Sequence, residues 1–148
     1  MSTMQDIDIL LVEDNPIYVE LMLRALKEHN ITNNVCVVND GTDALDVIFA
    51  RNKFSDLSPG NFPKVVLLDL KLLKVDGLEV LRTIKRDDKA KVIPIVVLTT
   101  STEDRHVSQA YRLGANSYIV KAVDFDKFVE EMGRMCHYWL QINHSPQG

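Results

Sequence analysis

Several side chains that could act together on a phosphoryl group each follow a short apolar run of the sequence. They are two adjacent carboxylates, a third carboxylate, a hydroxyl and an amine: Glu13, Asp14, Asp69, Thr99 and Lys121. If the apolar runs are strands of a parallel sheet, their carboxyl ends lie at one edge, where ligands bind in open α/β sheets. The spacing therefore predicts a single site built from four strand ends.

Three carboxylates in one half-buried crevice repel each other unless a cation or protons neutralise them. Magnesium suits such a site because it prefers oxygen ligands and is held by one or two carboxylates plus a phosphate oxygen. Asp69 could then attack phosphorus, while Lys121 and the metal neutralise the phosphoryl oxygens and Thr99 donates a hydrogen bond. The residues predict magnesium-dependent phosphoryl transfer to a carboxylate.

Each residue alone also has a structural interpretation. Asp14 precedes Pro16 and could cap the helix that this proline opens. Lys121 could be a surface lysine, and Thr99 an ordinary β-branched strand residue. The chemical interpretation depends on their joint placement.

Short apolar runs alternate five times with stretches of helical period, which is typical of a parallel α/β sheet buried on both faces. We predict one domain over residues 1–148, with a core from about residue 7 to residue 142. The predicted strands are Ile7–Val12, Val35–Val38, Val65–Leu68, Ile93–Leu98 and Ser117–Val120. The predicted helices begin at Pro16, run through Ala44–Ile48 to about Arg51, span Gly77–Arg86 and Thr102–Leu113, and run from about Phe125 past Trp139.

Finer features of these elements are also predicted. The first helix should bury one face, which consists of Val19, Met22, Leu23 and Leu26. Gly114 should end the fourth helix as a C-terminal cap. Prolines and small polar residues make Asn52–Pro63 a surface loop or partly disordered segment.

Around the candidate site the sequence resembles the CheY-like receiver domains of two-component response regulators, over nearly its whole length. The motifs that carry the resemblance are Ile9-Leu10-Leu11-Val12-Glu13-Asp14-Asn15, Leu67-Leu68-Asp69-Leu70, Asp76-Gly77-Leu78-Glu79-Val80-Leu81, Ile93-Pro94-Ile95-Val96-Val97-Leu98-Thr99 and Gly114-Ala115-Asn116-Ser117-Tyr118-Ile119-Val120-Lys121. The resemblance implies a flavodoxin-like, doubly wound five-stranded sheet in the order 2-1-3-4-5, with five helices.

The resemblance also assigns roles. Asp69 would accept a phosphoryl group from a histidine of a sensor kinase or phosphotransfer protein. Thr99 and Lys121 would hold the phosphoryl oxygens, and Tyr118 would be the switch aromatic that turns inward when the hydroxyl moves. The implied magnesium ligands are Asp14, Asp69 and the main-chain carbonyl of Lys71, with Glu13 assisting through water.

Three positions depart from the family pattern. Leu73 replaces a proline that is common four residues after the phosphoacceptor. Ala122 stands where the family usually has a proline, often with a cis bond; a cis bond before alanine costs about 2.5–4 kcal/mol, so we expect a trans peptide and a differently shaped loop. Lys71, two residues after Asp69, could contact the phosphoryl group or obstruct the hydrolytic water. We therefore predict slow self-dephosphorylation.

The segment Asn52–Pro63 and the long C-terminal tail resemble a subgroup of single-domain regulators paired with phytochrome-type and other sensor kinases, notably in cyanobacteria. Tyr138-Trp139-Leu140 lies beyond the length that one sheet normally covers. An exposed aromatic end would favour a homodimer through helix 4, strand 5 and helix 5.

Three other functions are compatible with parts of the pattern. A phosphatase of the haloacid-dehalogenase kind also uses a strand-end aspartate, but its general acid should stand where Lys71 does. A flavin-binding electron carrier should have a hydroxyl-rich loop where Glu13 and Asp14 stand. A pseudo-receiver that works without phosphorylation is disfavoured because every expected acidic, hydroxyl and lysine position is filled.

Composition limits the remaining classes. A formal net charge of −4 with scattered basic residues argues against nucleic acid as a partner. We expect no membrane span and no signal peptide, hence a cytoplasmic protein, with Cys36 and Cys136 as buried, reduced thiols. The four histidines show no metal-binding spacing and are expected to be solvated. We expect no output domain, so the signal would pass by contact to a downstream protein.

Overall fold

The computed structural model describes residues 6–72 and 75–146, so Leu73 lies outside the described residues. Its sheet has five parallel strands in the order β2-β1-β3-β4-β5, as predicted. The strands are β1 (Ile9–Val12), β2 (Val35–Val38), β3 (Val65–Asp69), β4 (Ile95–Thr99) and β5 (Ser117–Val120). Asp69 and Thr99 are thus the last residues of their strands.

Five α-helices connect or follow the strands: α1 (Pro16–Glu28), α2 (Gly41–Ile48), α3 (Gly77–Arg86), α4 (Asp104–Arg112) and α5 (Phe125–His137). Short 3₁₀ turns cover Asn52–Phe54 and Ala90–Val92, and α5 continues into a π-helical turn over Tyr138–Ile142. Gly114 follows α4 with a φ of 107°, which confirms the predicted C-terminal cap.

Successive residues of each central strand face opposite sides of the sheet, so each strand supplies two cores. In β1, Leu10 and Val12 pack on the side of α2, α3 and α4, whereas Ile9 and Leu11 pack on the side of α1 and α5. Burial on both faces explains why the central strands β1, β3 and β4 consist almost entirely of apolar residues.

Two predicted strand boundaries were wrong by two residues. β1 begins at Ile9 rather than Ile7. β4 begins at Ile95 rather than Ile93 because Pro94 has no N–H to donate to a sheet ladder. The amide of Ile95, the first residue of β4, donates to the Asn116 side chain at 2.8 Å.

The buried face of α1 differs in part from the prediction, since Val19 is only half-buried. The buried residues are Leu21, Met22, Ala25 and Leu26. Leu23 was expected on this face, but its side chain is exposed because it lies at the open side of the sheet, where it borders the same groove as Val37.

The segment Asn52–Pro63 is a surface loop, the first of the two predicted alternatives. Phe54, Leu57 and Phe62 pack against the hydrophobic core. Lys53 Nζ also forms an ion pair with Asp43 in α2, at 2.9 Å.

The C-terminal end is covered more completely than expected. Leu140 is buried and Trp139 packs against the core on the α1 and α5 side. Tyr138 remains exposed, and its ring stacks edge-to-face on Trp139 with centroids 5.1 Å apart. The predicted exposed aromatic end is therefore reduced to Tyr138.

The cysteines and histidines depart in part from expectation. Both thiols are free, but Cys36 is only half-buried; burial raises the pKa of Cys136 to about 12. His29 and His106 are half-buried and hydrogen-bonded rather than solvated. Among the described helices, none combines the length and apolarity needed to cross a membrane.

Candidate functional site

The strand ends bring the predicted acidic and basic side chains together at one edge of the sheet. Glu13 follows β1, Asp69 ends β3 and Lys121 follows β5, and all three are buried; Asp14 is half-buried. Carboxylate oxygens of Glu13, Asp14 and Asp69 lie within 4.8 Å of one another. Within the described part of the chain, this is the one group of three or more acidic, histidine or cysteine side chains close enough to share a metal ion.

Asp14 does not cap α1. The capping residue is Asn15, whose side chain accepts a hydrogen bond from Ile17 N at 3.0 Å. Asn15 N in turn donates to Glu13 Oε2 at 3.2 Å, which orients that carboxylate. The Asp14 carboxylate is therefore free of the structural role that the sequence left open.

Lys121 is held between two carboxylates. Its Nζ donates to Glu13 Oε1 at 2.6 Å and to Asp69 Oδ2 at 3.3 Å, with only 4% of its side chain exposed. The contact with Glu13 is one that sequence reasoning missed, since it assigned Glu13 only to the metal. Lys121 Nζ also lies 4.1 Å from the ring centroid of Tyr18, a second contact that went unpredicted.

The charge balance of this cluster favours a further cation. The pKa of Glu13 is raised to about 7; burial is the largest cause, the contact with Lys121 opposes it, and the nearby charge of Asp69 adds to it. Among the residues that the structure describes, one ammonium thus faces three carboxylates in a site of low dielectric. A divalent ion with oxygen ligands would restore the balance, and the donor set fits magnesium.

Lys71 supports Asp69 through its main chain. Lys71 N donates to Asp69 Oδ1 at 3.1 Å, so both Asp69 oxygens have a donor. The Lys71 side chain is exposed. The pKa of Glu103 is lowered mainly by its hydrogen bond to Arg105 and to a smaller extent by Lys71, which places the Lys71 charge near the loop after β4.

The loop after β4 connects Thr99 to Tyr118. Thr99 Oγ1 accepts from Ser101 N at 3.3 Å, and the Tyr118 hydroxyl donates to the Ser101 carbonyl at 3.0 Å. Ser101 Oγ and His106 Nδ1 are 2.6 Å apart, a contact that the sequence gave no reason to expect. Beside Asp69, a cavity of about 210 Å³ is lined by Leu70, Lys71, Asp76, Leu78, Thr99, Ser101 and His106.

The Lys121–Ala122 peptide is trans, since no peptide bond among the described residues is cis. This agrees with the expectation from alanine at this position.

Residues 9–132 match the sequence profile of the response regulator receiver domain. The chain belongs to this family. It is a signalling domain of the two-component kind, and the family membership argues against both the phosphatase and the flavin-carrier alternatives.

Three relatives illustrate the similarity. The probable methanogenesis regulatory protein FilR2 of Methanothrix harundinacea is 41% identical over 138 residues, which cover 93% of this chain and 86% of that protein. The crystal structure of the phosphorylated cyanobacterial phytochrome response regulator RcpA is 34% identical, with a TM-score of 0.86 and coverage of 93% of this chain and 96% of that one. The Mn²⁺-bound form of response regulator Rcp1 is 33% identical, with a TM-score of 0.85 and coverage of 93% and 97%; the Rcp1 sequence is from Synechocystis.

Proposed function

We propose that Asp69 is the phosphoacceptor of a two-component switch, and that its donor is a histidine of a sensor kinase or phosphotransfer protein. The observation that carries this proposal is the placement of Asp69 between the Lys121 ammonium, the Lys71 main-chain N–H and two further carboxylates. The structures of a phosphorylated and a Mn²⁺-bound relative support it.

In the transfer step, an oxygen of the Asp69 carboxylate attacks phosphorus in line with the donor histidine. The new O–P bond forms while the P–N bond breaks, and the imidazole nitrogen leaves with the electron pair. Lys121, 3.3 Å from Asp69 Oδ2, then pairs with a phosphoryl oxygen. The product is an acyl phosphate, so the chain acts as a phosphate acceptor and not as an enzyme with an external product.

Magnesium would be held by Asp14, Asp69 and the main-chain carbonyl of Lys71, with Glu13 assisting through water. When bound, it neutralises charge on the phosphoryl oxygens. Glu13 has a second role here, because its direct bond to Lys121 Nζ at 2.6 Å keeps the ammonium in the site.

The switch would operate through Thr99 and Tyr118. Thr99 Oγ1 accepts from Ser101 N, so its O–H remains available to donate to a phosphoryl oxygen. Movement of Thr99 would carry Ser101, whose carbonyl holds the Tyr118 hydroxyl. Moving a population from 1:99 to 99:1 needs about 5.5 kcal/mol, to which charge-assisted bonds at Thr99 and Lys121 would contribute.

We propose two protein interactions besides the phosphodonor: a homodimer through α4, β5 and α5, and a downstream target. Val120, Val123 and Phe125 support the dimer, because these apolar side chains are exposed along this face, Val123 by 96%. The RcpA likeness supports a kinase of the phytochrome type. Such a partnership would place the chain in the cytoplasm.

The proposal is tested by incubating the protein with magnesium and acetyl phosphate and measuring its intact mass. We expect wild type to gain one phosphoryl group and Asp69→Asn to gain none. EDTA should prevent the gain. An unchanged mass for wild type would contradict the proposal, as would equal phosphorylation of the variant.

Lys71→Ala should shorten the lifetime of the phosphorylated protein. The exposed Lys71 side chain stands at the mouth of the cavity beside Asp69, where it can pair with the phosphoryl group or exclude water. We expect loss of the phosphoryl group to become several-fold faster, as followed by intact mass after acetyl phosphate is removed. Lys71→Arg is the matched control and should retain the wild-type lifetime; an equal lifetime for Lys71→Ala would refute this role.

A further inference from the structure

The ring of Tyr18, on the first turn of α1, forms one wall around the key ammonium of the site. Lys121 Nζ lies over this ring at 4.1 Å from its centroid, well within the range of about 6 Å for a cation–π interaction. The same ammonium donates to Glu13 and Asp69. An ammonium has three N–H donors, so two carboxylates and one aromatic face can satisfy it completely.

The Tyr18 ring is itself fixed by the core. It packs edge-to-face against Phe128 in α5, with centroids 5.2 Å apart and an interplanar angle of 61°. Phe128 is fully buried, at 1% exposure. The packing of α1 on α5 therefore helps to fix the position of the ammonium, in addition to the two carboxylates.

The fixed ring of Tyr18 matters because the four-carbon stem of Lys121 is flexible and its charge is confined to a compact ammonium group. The shorter of its two bonds goes to Glu13, at 2.6 Å against 3.3 Å for Asp69. Phosphoryl transfer to Asp69 requires the ammonium on the Asp69 side. The attraction between the Tyr18 ring face and the Lys121 ammonium limits how far the ammonium can move toward Glu13 or toward solvent.

We infer that Tyr18 is a positioning residue for phosphorylation, which holds the Lys121 ammonium over Asp69 by a cation–π interaction. This inference rests on the proposed function of Asp69. A desolvated cation–π contact is worth about 2 kcal/mol, and about 1.4 kcal/mol corresponds to tenfold in rate. Removal of the ring by Tyr18→Leu should therefore slow phosphoryl incorporation roughly 30-fold, whereas Tyr18→Phe should keep most of the rate.

The decisive experiment separates the electronic role of the ring from its packing role. Residue 18 is replaced by phenylalanine carrying no, one, two or three ring fluorines, and phosphoryl incorporation from acetyl phosphate with magnesium is followed by intact mass. Fluorine hardly changes the ring shape but weakens the negative face. We expect the rate to fall stepwise with each fluorine; equal rates across the series would overturn the inference.

The matched control is the same series at Phe49, whose ring also carries a cation, Arg51, at 5.4 Å, but at the far end of α2. There the rate should not change. A fall at Phe49 equal to that at residue 18 would show a general effect of fluorination and would count against the inference.

A second measurement keeps the test independent of phosphorylation. In urea unfolding, Tyr18→Leu and Lys121→Met should be coupled, so that the double variant loses less stability than the sum of the two single variants. Additive losses would overturn the contact. If wild type accepts no phosphoryl group, the proposed function fails, and the coupling still decides whether Tyr18 holds the ammonium.

Discussion

Without metal at pH 8, Lys121→Met should lower the free energy of unfolding by about 3 kcal/mol. The variant keeps a long, unbranched side chain but removes the Lys121 ammonium, which contacts Glu13 and Asp69. Both carboxylates are buried, at 2% and 7% exposure, so each becomes a buried charge without this partner. Removing one member of a buried ion pair costs far more than the pair itself contributes.

The loss should depend on pH in a defined direction. The pKa of Glu13 is already raised from 4.5 to about 7 by burial, and loss of Lys121 removes the group that lowers it. The folded variant then binds a proton that the unfolded chain releases above about pH 4.5, so its stability falls as the pH rises through and beyond 7. Urea unfolding at pH 6, 7 and 8 checks this; the deficit relative to wild type should be smallest at pH 6.

Two changes, one in the solution and one in the chain, should each restore part of the stability that Lys121→Met loses. Magnesium should stabilise Lys121→Met, because it supplies the missing positive charge. Glu13→Gln in the same chain should also restore stability, since it removes one of the two stranded charges. Lys127→Met, an exposed lysine of α5, is the matched control and should change stability by less than about 0.5 kcal/mol. A Lys121→Met protein as stable as wild type at pH 8 would show that the buried pair carries no stability.

Much of the fold was predictable because local and long-range signals agree. The central strands β1, β3 and β4 are buried on both faces, so apolar runs of four or five residues stand out, and turn residues separate them from helices of clear period. The errors in the predicted boundaries and buried faces lie at positions whose structure depends on one neighbouring residue or element. Pro94 shortened β4, and the position of Leu23 depended on where the sheet edge lies, which periodicity within one helix does not specify.

The site was predictable as a set of residues but not as a set of contacts. Strand ends meet at one edge in any parallel sheet, so Glu13, Asp69 and Lys121 could be placed together from spacing alone. Which carboxylate Lys121 would contact depends on ångström-scale distances between strands. The contact of Tyr18 with Lys121 could not be predicted, because it depends on the packing of α1 on α5, which brings the Tyr18 ring under the ammonium.

Gly77→Ala should damage both stability and phosphorylation, although alanine is the better helix former by up to about 1 kcal/mol. A Cβ at residue 77 would lie 2.5 Å from the Asp69 carbonyl oxygen and 2.5 Å from Leu70 Cα. These are main-chain atoms, which cannot rotate away as a side chain can. Overpacking of this kind costs about 1–3 kcal/mol, so we expect a net loss of about 2 kcal/mol by urea unfolding.

The same steric clash should also affect Asp69, the proposed phosphoacceptor. Gly77 N donates to the Leu70 carbonyl at 3.2 Å, so the start of α3 and the turn after β3 are joined and relieve strain only by moving together. Displacement of the Asp69 main chain should slow phosphoryl incorporation from acetyl phosphate by at least tenfold, because small misplacements of reacting groups are costly.

Gly60→Ala provides the comparison that separates backbone strain from crowding. Gly60 has a φ of 82°, but a Cβ there would meet nothing within 4 Å. It should lose about 1 kcal/mol of stability and phosphorylate at the wild-type rate. Both variants replace glycine with alanine. A slow rate of phosphorylation confined to Gly77→Ala would therefore show that phosphorylation depends on the close approach of α3 to Asp69. Wild-type phosphorylation in Gly77→Ala would mean that the side-chain contacts of Asp69 with Lys121 and with Lys71 N are enough to position it.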